Sequence, residues 1–207
     1  MGVEASFQAI PEDCELLARA RRDLGVAELM QFFHNWAVEE YKGRRFDNDP
    51  NWLFVFTAAQ GLIRKYPGLG QRYYCAWGRK FDAILYLLSP ERRAHKTRHS
   101  YDGSLIDKAI TGCEPLHPMA KAVQGQTIRF VPASDVRLIA DYLDGITFEQ
   151  LCEHYDPDKM EEALVYKIIQ IRTREDALRL IWEEFTGMRD LYRAAADHNE
   201  AVITVID

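Results

Sequence analysis

Apolar and polar residues alternate over residues 3–9, at the beginning of the chain. A repeat of two places successive side chains on opposite faces of a strand, so this pattern predicts a strand with one buried face. Pro11 follows, and because proline is favoured in the first turn of a helix, we expect a helix to begin there. Strand-like composition predicts two further strands, at about 127–131 and 201–206.

Most of the chain repeats apolar residues every three or four positions, which is the spacing of one helix face. The clearest helix is predicted from about Thr173 to Asp197. Shorter helices are predicted after Gly25, over 81–88, over 104–110, from Pro118 to Gly125, over 136–143, after the capping box of Thr147 and Gln150, and from Asp156. The sequence therefore predicts an α+β fold that is predominantly helical. Its small mixed sheet would be formed by short strands near the N-terminus, in the middle at about 127–131 and at the C-terminus.

The length of 207 residues predicts a single domain over 1–207, since domains commonly span roughly 100 to 200 residues. A composition of 47% hydrophobic and 28% charged residues is typical of globular proteins and excludes collagen-like and disordered classes. No apolar run approaches the roughly 18 residues of a membrane span. Acidic Glu4 and the lack of an apolar stretch after it argue against a secretory signal. We therefore expect a cytoplasmic protein with no membrane partner.

Charge and cysteine content restrict the partners and cofactors of the protein. The net charge of −6 argues against extensive wrapping of nucleic acid. The four cysteines lie far apart and form no CxxC pair, so neither a disulfide framework nor a zinc site is indicated. His95 and His99 have metal-ligand spacing, but the arginines and lysines around them repel a cation. No nucleophile-elbow, HExxH or phosphate-loop motif is present, so we predict no metal and no cofactor, and the sequence identifies no catalytic residue.

Several stretches of the sequence follow the pattern of one known family. They are the beginning of the chain, Arg79–Leu88 (RKFDAILYLL), Pro118–Gly125 (PMAKAVQG), Phe130–Tyr166 and Ala195–Ile206. Together they resemble the bacterial YfbM-like family of domains of unknown function. Leu85 stands where that family usually has a histidine, and Lys167 stands where a proline usually follows the tyrosine. The resemblance implies a mixed α/β fold, with no established activity, cofactor or catalytic residue.

One third of the aromatic residues lie within the segment of residues 44–77, which we call the aromatic segment. They are Phe46, Trp52, Phe54, Phe56, Tyr66, Tyr73, Tyr74 and Trp77. Such residues build cores, and Tyr and Trp are also enriched at protein interfaces. Two interpretations therefore remain open: the segment forms part of the core, or its aromatic residues, Trp52, Tyr73 and Tyr74 among them, line an interface or a pocket. The family resemblance is thinnest here.

Charged and polar residues provide two further candidate binding sites. Arg79 and Asp82 are three positions apart on one helix face, and together with His117 they could converge in a cleft, although an ion pair also explains the first two. The basic run from Arg92, with Arg93 beside it, could contact phosphates, carboxylates or an acidic protein, or pair with acidic residues of the chain itself.

The main functional hypothesis is a cytosolic bacterial protein that binds another protein without catalysis, as immunity or regulatory proteins do. It depends on the aromatic segment, the acidic net charge and the lack of a catalytic motif. The alternative is an enzyme or small-molecule binder whose site includes Arg79, Asp82 and His117. A nucleic-acid contact through the basic run is disfavoured by the acidic net charge.

Overall fold

The computed structural model describes residues 4–34, 49–76, 80–89, 93, 103–165 and 173–206. At its centre lies a five-stranded sheet with the strand order β2-β1-β5-β4-β3. The strands are β1 (Ala5–Pro11), β2 (Tyr73–Ala76), β3 (Glu114–Pro115), β4 (Arg129–Val131) and β5 (Glu200–Ile206). Helices surround this sheet, so the predicted α+β fold is confirmed.

The strands of this sheet pair antiparallel, whereas the sequence interpretation expected a mixed sheet. The longest pairing joins β1 to β5, with Ala5 opposite Ile206 and Pro11 opposite Glu200. The chain enters β5 beside the end of β1, and for that reason β5 can only run back along β1. The two ends of the sequence thus lie side by side at the centre of the sheet.

The helices account for most of the remaining described residues. They are α1 (Glu15–Ala20), α2 (Leu24–Leu29), α3 (Pro50–Lys65), α4 (Lys80–Leu88), α5 (Leu105–Thr111), α6 (Ala133–Asp144), α7 (Phe148–Glu153), α8 (Pro157–Glu162) and α9 (Arg174–Asp197). Side chains stabilise their N-termini: Thr147 and Gln150 form the predicted capping box of α7, and Thr173 accepts a hydrogen bond from the Asp176 backbone in α9. No helix among the described residues is both long and apolar enough to cross a membrane.

The predicted start of one helix and the existence of another were wrong. Pro11 belongs to β1, and α1 begins only at Glu15, because Cys14 is its N-cap and its sulfur accepts a hydrogen bond from the Leu17 backbone N–H at 3.4 Å. Residues 118–125 form turns instead of a helix. They lie in the segment between β3 and β4, whose backbone groups form local hydrogen bonds. For example, Ala122 N donates to the carbonyl of Gln126 at 2.7 Å. These hydrogen bonds of turns replace the hydrogen bonds of a helix.

Helices pack on both faces of the sheet. One face carries Phe7 and Tyr74 and packs against α9, whose Tyr192 ring meets Phe7 edge to face. The opposite face carries Tyr73 and Phe130, which contact the N-terminal helical region: the His34 ring stacks 3.5 Å from Tyr73. Both faces are therefore covered, and all buried apolar residues of the described chain except Ala133 form one cluster.

Candidate ligand-binding cleft

A cleft of about 460 Å³ opens at the end of the sheet where β1 ends and β5 begins. Its lining residues are Pro11, Glu12, Asp13, Tyr66, His198, Asn199 and Glu200. They come from three separate places in the chain: the turn between β1 and α1, the end of α3, and the turn between α9 and β5. This volume lies in the usual range of small-molecule sites, which is roughly 300–1,000 Å³.

The buried lining residue Glu200 forms an ion pair with Arg72, and we call this pair the floor of the cleft. The Arg72 guanidinium donates from Nε and Nη2 to the two carboxylate oxygens of Glu200, at 2.6 Å each. The two residues are only 8% and 2% exposed, so each charge depends on the other for compensation. The carbonyl of Arg72 also accepts hydrogen bonds from the Ala9 backbone at 3.0 Å and from Gln8 Nε2 at 3.1 Å. The floor is therefore rigid and, taken as a pair, electrically neutral.

The turn after α9 places three lining residues at the cleft. His198 is the C-cap of α9, and Asn199 then adopts the left-handed conformation with φ 55°, which asparagine tolerates better than most residues. The chain reverses there, so Glu200 can begin β5. The Oδ1 atom of Asn199 accepts a hydrogen bond from Arg137 Nη2 at 2.5 Å, which leaves its amide nitrogen as a donor.

The imidazole of His198 can be assigned a tautomer from its contact. Its Nδ1 lies 2.8 Å from the carbonyl oxygen of Ala194. A carbonyl oxygen only accepts, so the proton sits on Nδ1, and Nε2 of the neutral ring is an acceptor. His198 is exposed at the cleft, so this acceptor is accessible to a ligand.

The two acidic residues after β1 differ in their contacts. Glu12 Oε2 accepts a hydrogen bond at 2.9 Å from the backbone N–H of Ala133, the first residue of α6. The other carboxylate oxygen, Oε1, does not take part in this hydrogen bond. Asp13 is exposed beside the cleft, and Lys65 lies close to it. A hydrogen bond with Tyr66 chiefly raises the pKa of Lys65, and the negative charge of Asp13 adds to the effect. The Lys65 ammonium also lies 5.0 Å from the centre of the Tyr66 ring.

A second polar cluster lies at the other end of β2, away from the cleft. Glu184 of α9 is 8% exposed and accepts hydrogen bonds from the Tyr74 hydroxyl and from Lys80 Nζ. Burial, together with the bond to Glu184, raises the pKa of Tyr74 well above its usual value. These contacts tie β2, α4 and α9 together, and both Glu184 oxygens are engaged, so the cluster serves packing.

The cysteine side chains carry no activated thiol. Cys14, Cys75, Cys113 and Cys152 form no disulfide, and burial raises the pKa of each. The pKa reaches about 11 for both Cys75 and Cys113. These thiols are therefore protonated at neutral pH and poor nucleophiles. Within the part of the chain that the structure describes, no group of three or more His, Cys, Asp or Glu residues could hold a metal ion.

The aromatic binding residues predicted from the sequence lie largely inside the fold. Trp52 is 6% exposed and stacks on Phe56, with ring centres 5.3 Å apart. Tyr73 and Tyr74 are half-buried, one against His34 and the other in the Glu184 cluster. The core interpretation of the aromatic segment accounts for these contacts. A binding role for the three residues stays a prediction.

The charged candidates do not meet at one place. Asp82 lies in the first turn of α4, which follows β2, whereas His117 follows β3 at the opposite edge of the sheet. Arg93 donates hydrogen bonds to the carbonyls of Tyr86 at 3.3 Å and Leu87 at 2.5 Å, and therefore binds the end of α4. Burial lowers its pKa. Arg79 and Arg92 lie outside the described residues, as do His95 and His99.

Of the cleft residues, sequence reasoning considered only Tyr66 for binding, as a member of the aromatic segment. One signal was available: the polar run His198–Glu200 separates a long amphipathic helix from an apolar strand, and Glu200 begins that strand. A charged residue at the start of a buried strand needs a partner. That partner, Arg72, is 128 positions away, and no local pattern indicates it.

Comparison with known proteins places the fold. Residues 36–205 match the family model described as a domain of unknown function, DUF1877. A crystal structure described as a protein of unknown function, YfbM from Escherichia coli, is similar over 99% of this chain and 99% of that chain, with a TM-score of 0.57. Sequence identity is 12%, so this likeness concerns the fold alone. No curated protein matches the chain. Tyr66 and the turn after α9 lie within the matched residues, while Glu12 and Asp13 precede them.

Proposed function

The chain belongs to the DUF1877 family, whose function is unknown, and from this premise we propose that it binds a small polar molecule in the cleft between the end of β1 and the start of β5. One observation carries the proposal: polar side chains from three distant segments converge around a space of about 460 Å³. Convergence of a few polar groups in a concave site is the usual form of a ligand pocket.

The cleft has features that favour binding. Its floor is held by the bidentate Arg72–Glu200 pair, so a ligand would not have to order it. Around this floor Asp13 and His198 are exposed and offer hydrogen-bonding atoms at the surface. A small molecule seated there would exchange water for these directed contacts.

The experiment is a thermal-stability screen of the full chain against a library of cellular metabolites. A ligand present at about 100 times its Kd stabilises the folded state by about 2.7 kcal/mol, which is readily detected. His198→Ala removes a cleft side chain. His154→Ala is the matched control, because His154 is also a helix C-cap, with φ −103° against −101°, but does not line the cleft.

We expect at least one compound to raise the Tm of the wild type and of His154→Ala, and to raise that of His198→Ala much less. Equal shifts in the two variants would place the ligand elsewhere. No shift with any compound would contradict the proposal.

Protein binding is a second candidate function, and exposed apolar residues support it. Met119 and Val123 are 67% and 72% exposed in the segment between β3 and β4. Gln31 anchors this segment, since its side-chain oxygen accepts a hydrogen bond from the Val123 backbone at 3.0 Å. Apolar side chains on an anchored segment suit an interface, so an immunity-like or regulatory role would use this surface.

Affinity capture from a bacterial lysate tests the second candidate. The double variant Met119→Ser, Val123→Ser should lose a stoichiometric partner. Leu138→Ser should retain it, because Leu138 is a similarly exposed apolar residue, 58% exposed, on α6. Retention of the partner by the double variant would exclude this surface.

A further inference from the structure

We propose that the ligand of the cleft is a small organic cation, recognised through a primary amine or guanidinium group. This inference rests on the proposed function and deepens it by naming the chemical class of the ligand. It follows from the charges that line the cleft, from the hydrogen-bonding atoms left open there, and from the helix end that faces it.

The charges lining the cleft are predominantly negative. Glu12, Asp13 and Glu200 contribute carboxylates, and no lysine or arginine is among the lining residues. Arg72 compensates Glu200 from below. Glu12 and Asp13 then leave an excess of carboxylates among the lining residues, with Lys65 and Arg137 approaching from outside the lining, and this excess favours cations over anions.

Among the described residues, the hydrogen-bonding atoms that remain open at the cleft are mainly acceptors. They are the carboxylate of Asp13, the second oxygen of Glu12 and, in the neutral form of the ring, Nε2 of His198. The side-chain oxygen of Asn199 accepts from Arg137, so the amide nitrogen of Asn199 remains as a donor. An ammonium group carries three donors and no acceptor, and a guanidinium carries five donors, so either group matches this set.

The end of α9 adds to the negative potential. This helix is 24 residues long and ends at the cleft, with His198 as its C-cap. The last carbonyl groups of a helix carry the equivalent of about half a negative charge, which favours a cation nearby. The observation is independent of the acidic side chains, because it concerns backbone dipoles.

The chain itself already places one cation at the edge of the cleft. The Lys65 ammonium lies 5.0 Å from the Tyr66 ring centre and interacts with Asp13. The Tyr66 ring thus lies next to an ammonium group, and the negative charge of Asp13 acts on the same group. A cationic ligand would compete with Lys65 for Asp13, so removal of the lysine charge should tighten binding.

Three probes of equal length and different charge test the inference by titration calorimetry on the full chain. They are 1,4-diaminobutane, 1,4-butanediol and succinate. We expect the diamine to bind at least about tenfold more tightly than the diol, and succinate not to bind, because Coulomb attraction at short range amounts to this order of magnitude. Asp13→Asn should weaken the diamine by about tenfold, and Lys65→Gln should strengthen it.

Glu15→Gln is the control for net charge. It removes the same charge two residues from Asp13, on α1 and outside the cleft, and should leave the affinity for the diamine within about twofold, as exposed charges farther away are screened. An equal loss in Asp13→Asn and Glu15→Gln would show non-specific attraction and overturn the inference.

The metabolite screen separates failure of the inference from failure of the proposed function. If its His198-dependent compounds are neutral or anionic, the cleft binds ligands but the cation inference is wrong. If they are amines or guanidines, the inference holds even for ligands larger than the diamine. If no compound and no probe binds, both proposals are wrong.

Discussion

Arg72 and Glu200 show how a single pair of residues determines the shape of the cleft. Arg72 lies before β2 and Glu200 begins β5, and the two form a bidentate ion pair that is almost completely buried. Neither strand neighbours the other in the sheet, since β1 lies between them. The pair therefore links the ends of three adjacent strands.

Removal of one charge of this pair should destabilise the protein strongly. Glu200→Ala leaves the buried Arg72 guanidinium uncompensated, and we expect the free energy of unfolding to fall by about 3–5 kcal/mol. Urea denaturation followed by circular dichroism measures it. The control is Glu183→Ala, which breaks the exposed pair with Arg179 and should change stability little. Similar losses in the two variants would contradict a buried, mutually dependent pair.

Gly187 provides a second test at single-residue resolution. A Cβ atom at this position of α9 would lie 2.6 Å from the ring carbon Cζ of Tyr74. Gly187→Ala must therefore displace Tyr74 and its bond to Glu184, and we expect a loss of about 1–3 kcal/mol of stability. Gly61→Ala in α3 is the control: nothing lies within 4 Å, so it should stabilise by up to about 1 kcal/mol. Stabilisation by both substitutions would contradict the tight contact.

At the scale of elements, helix ends determine where the chain turns toward the next element. Asn199, at φ 55°, ends α9 and directs the chain into β5, while Leu164, at φ 57°, follows α8. Asparagine adopts this conformation readily, whereas a leucine pays a steric cost for its Cβ atom. The first turn is thus matched to its residue, and the second is strained.

Relief of this strain should stabilise the protein. Leu164 is 62% exposed, and its backbone N–H bonds to the carbonyl of Glu161. Leu164→Gly removes the steric cost, so we expect a gain of about 1 kcal/mol in the free energy of unfolding, measured by denaturant titration. Leu138→Gly, at an exposed position inside α6, should instead lose about 1 kcal/mol, since glycine is a poor helix former. A loss in both variants would show that Leu164 contributes packing that exceeds its strain.

At the scale of the whole molecule, the pairing of β1 with β5 holds the sheet together. These strands occupy the second and third positions in the sheet, and nearly all their residues are buried. Their pairing joins the two ends of the sequence. Breaking it requires opening the entire core, so we expect it to be the last structure lost on unfolding.

Native-state hydrogen exchange tests this expectation. Backbone amides of Phe7 and Ile203, in β1 and β5, should exchange only by global unfolding, with a free energy equal to that from urea denaturation. The amide of Glu114, in the exposed two-residue edge strand β3, should exchange much faster. Exchange of Ile203 as fast as that of Glu114 would contradict a central role for the β1–β5 pair.

Elements with a strong local pattern were predictable from the sequence. The apolar stripe predicted α9 from about Thr173 to Asp197, and the structure has Arg174–Asp197. The strand at 201–206 was predicted from its strand-like composition and extends over Glu200–Ile206. By contrast, β2 was missed, because Tyr73–Ala76 is only four residues long and carries no clear alternation. Pro118 to Gly125 was predicted as a helix from its proline at the start and its glycine at the end, but Ala122 of this segment bonds to Gln126 beyond it.

The sequence by itself determined which residues are buried in each element, and therefore the α+β class and the main helices. Hydrophobic periodicity is a local property, and burial of one face of a helix or strand follows from it whatever the neighbours are. Only the tertiary structure decided the strand order and the contents of the cleft. Glu12, Tyr66 and His198 meet because β1 pairs with β5 and the end of α3 packs beside them. Contacts between residues that are distant in the sequence stabilise this arrangement, and a local sequence pattern does not indicate which distant residues will be in contact.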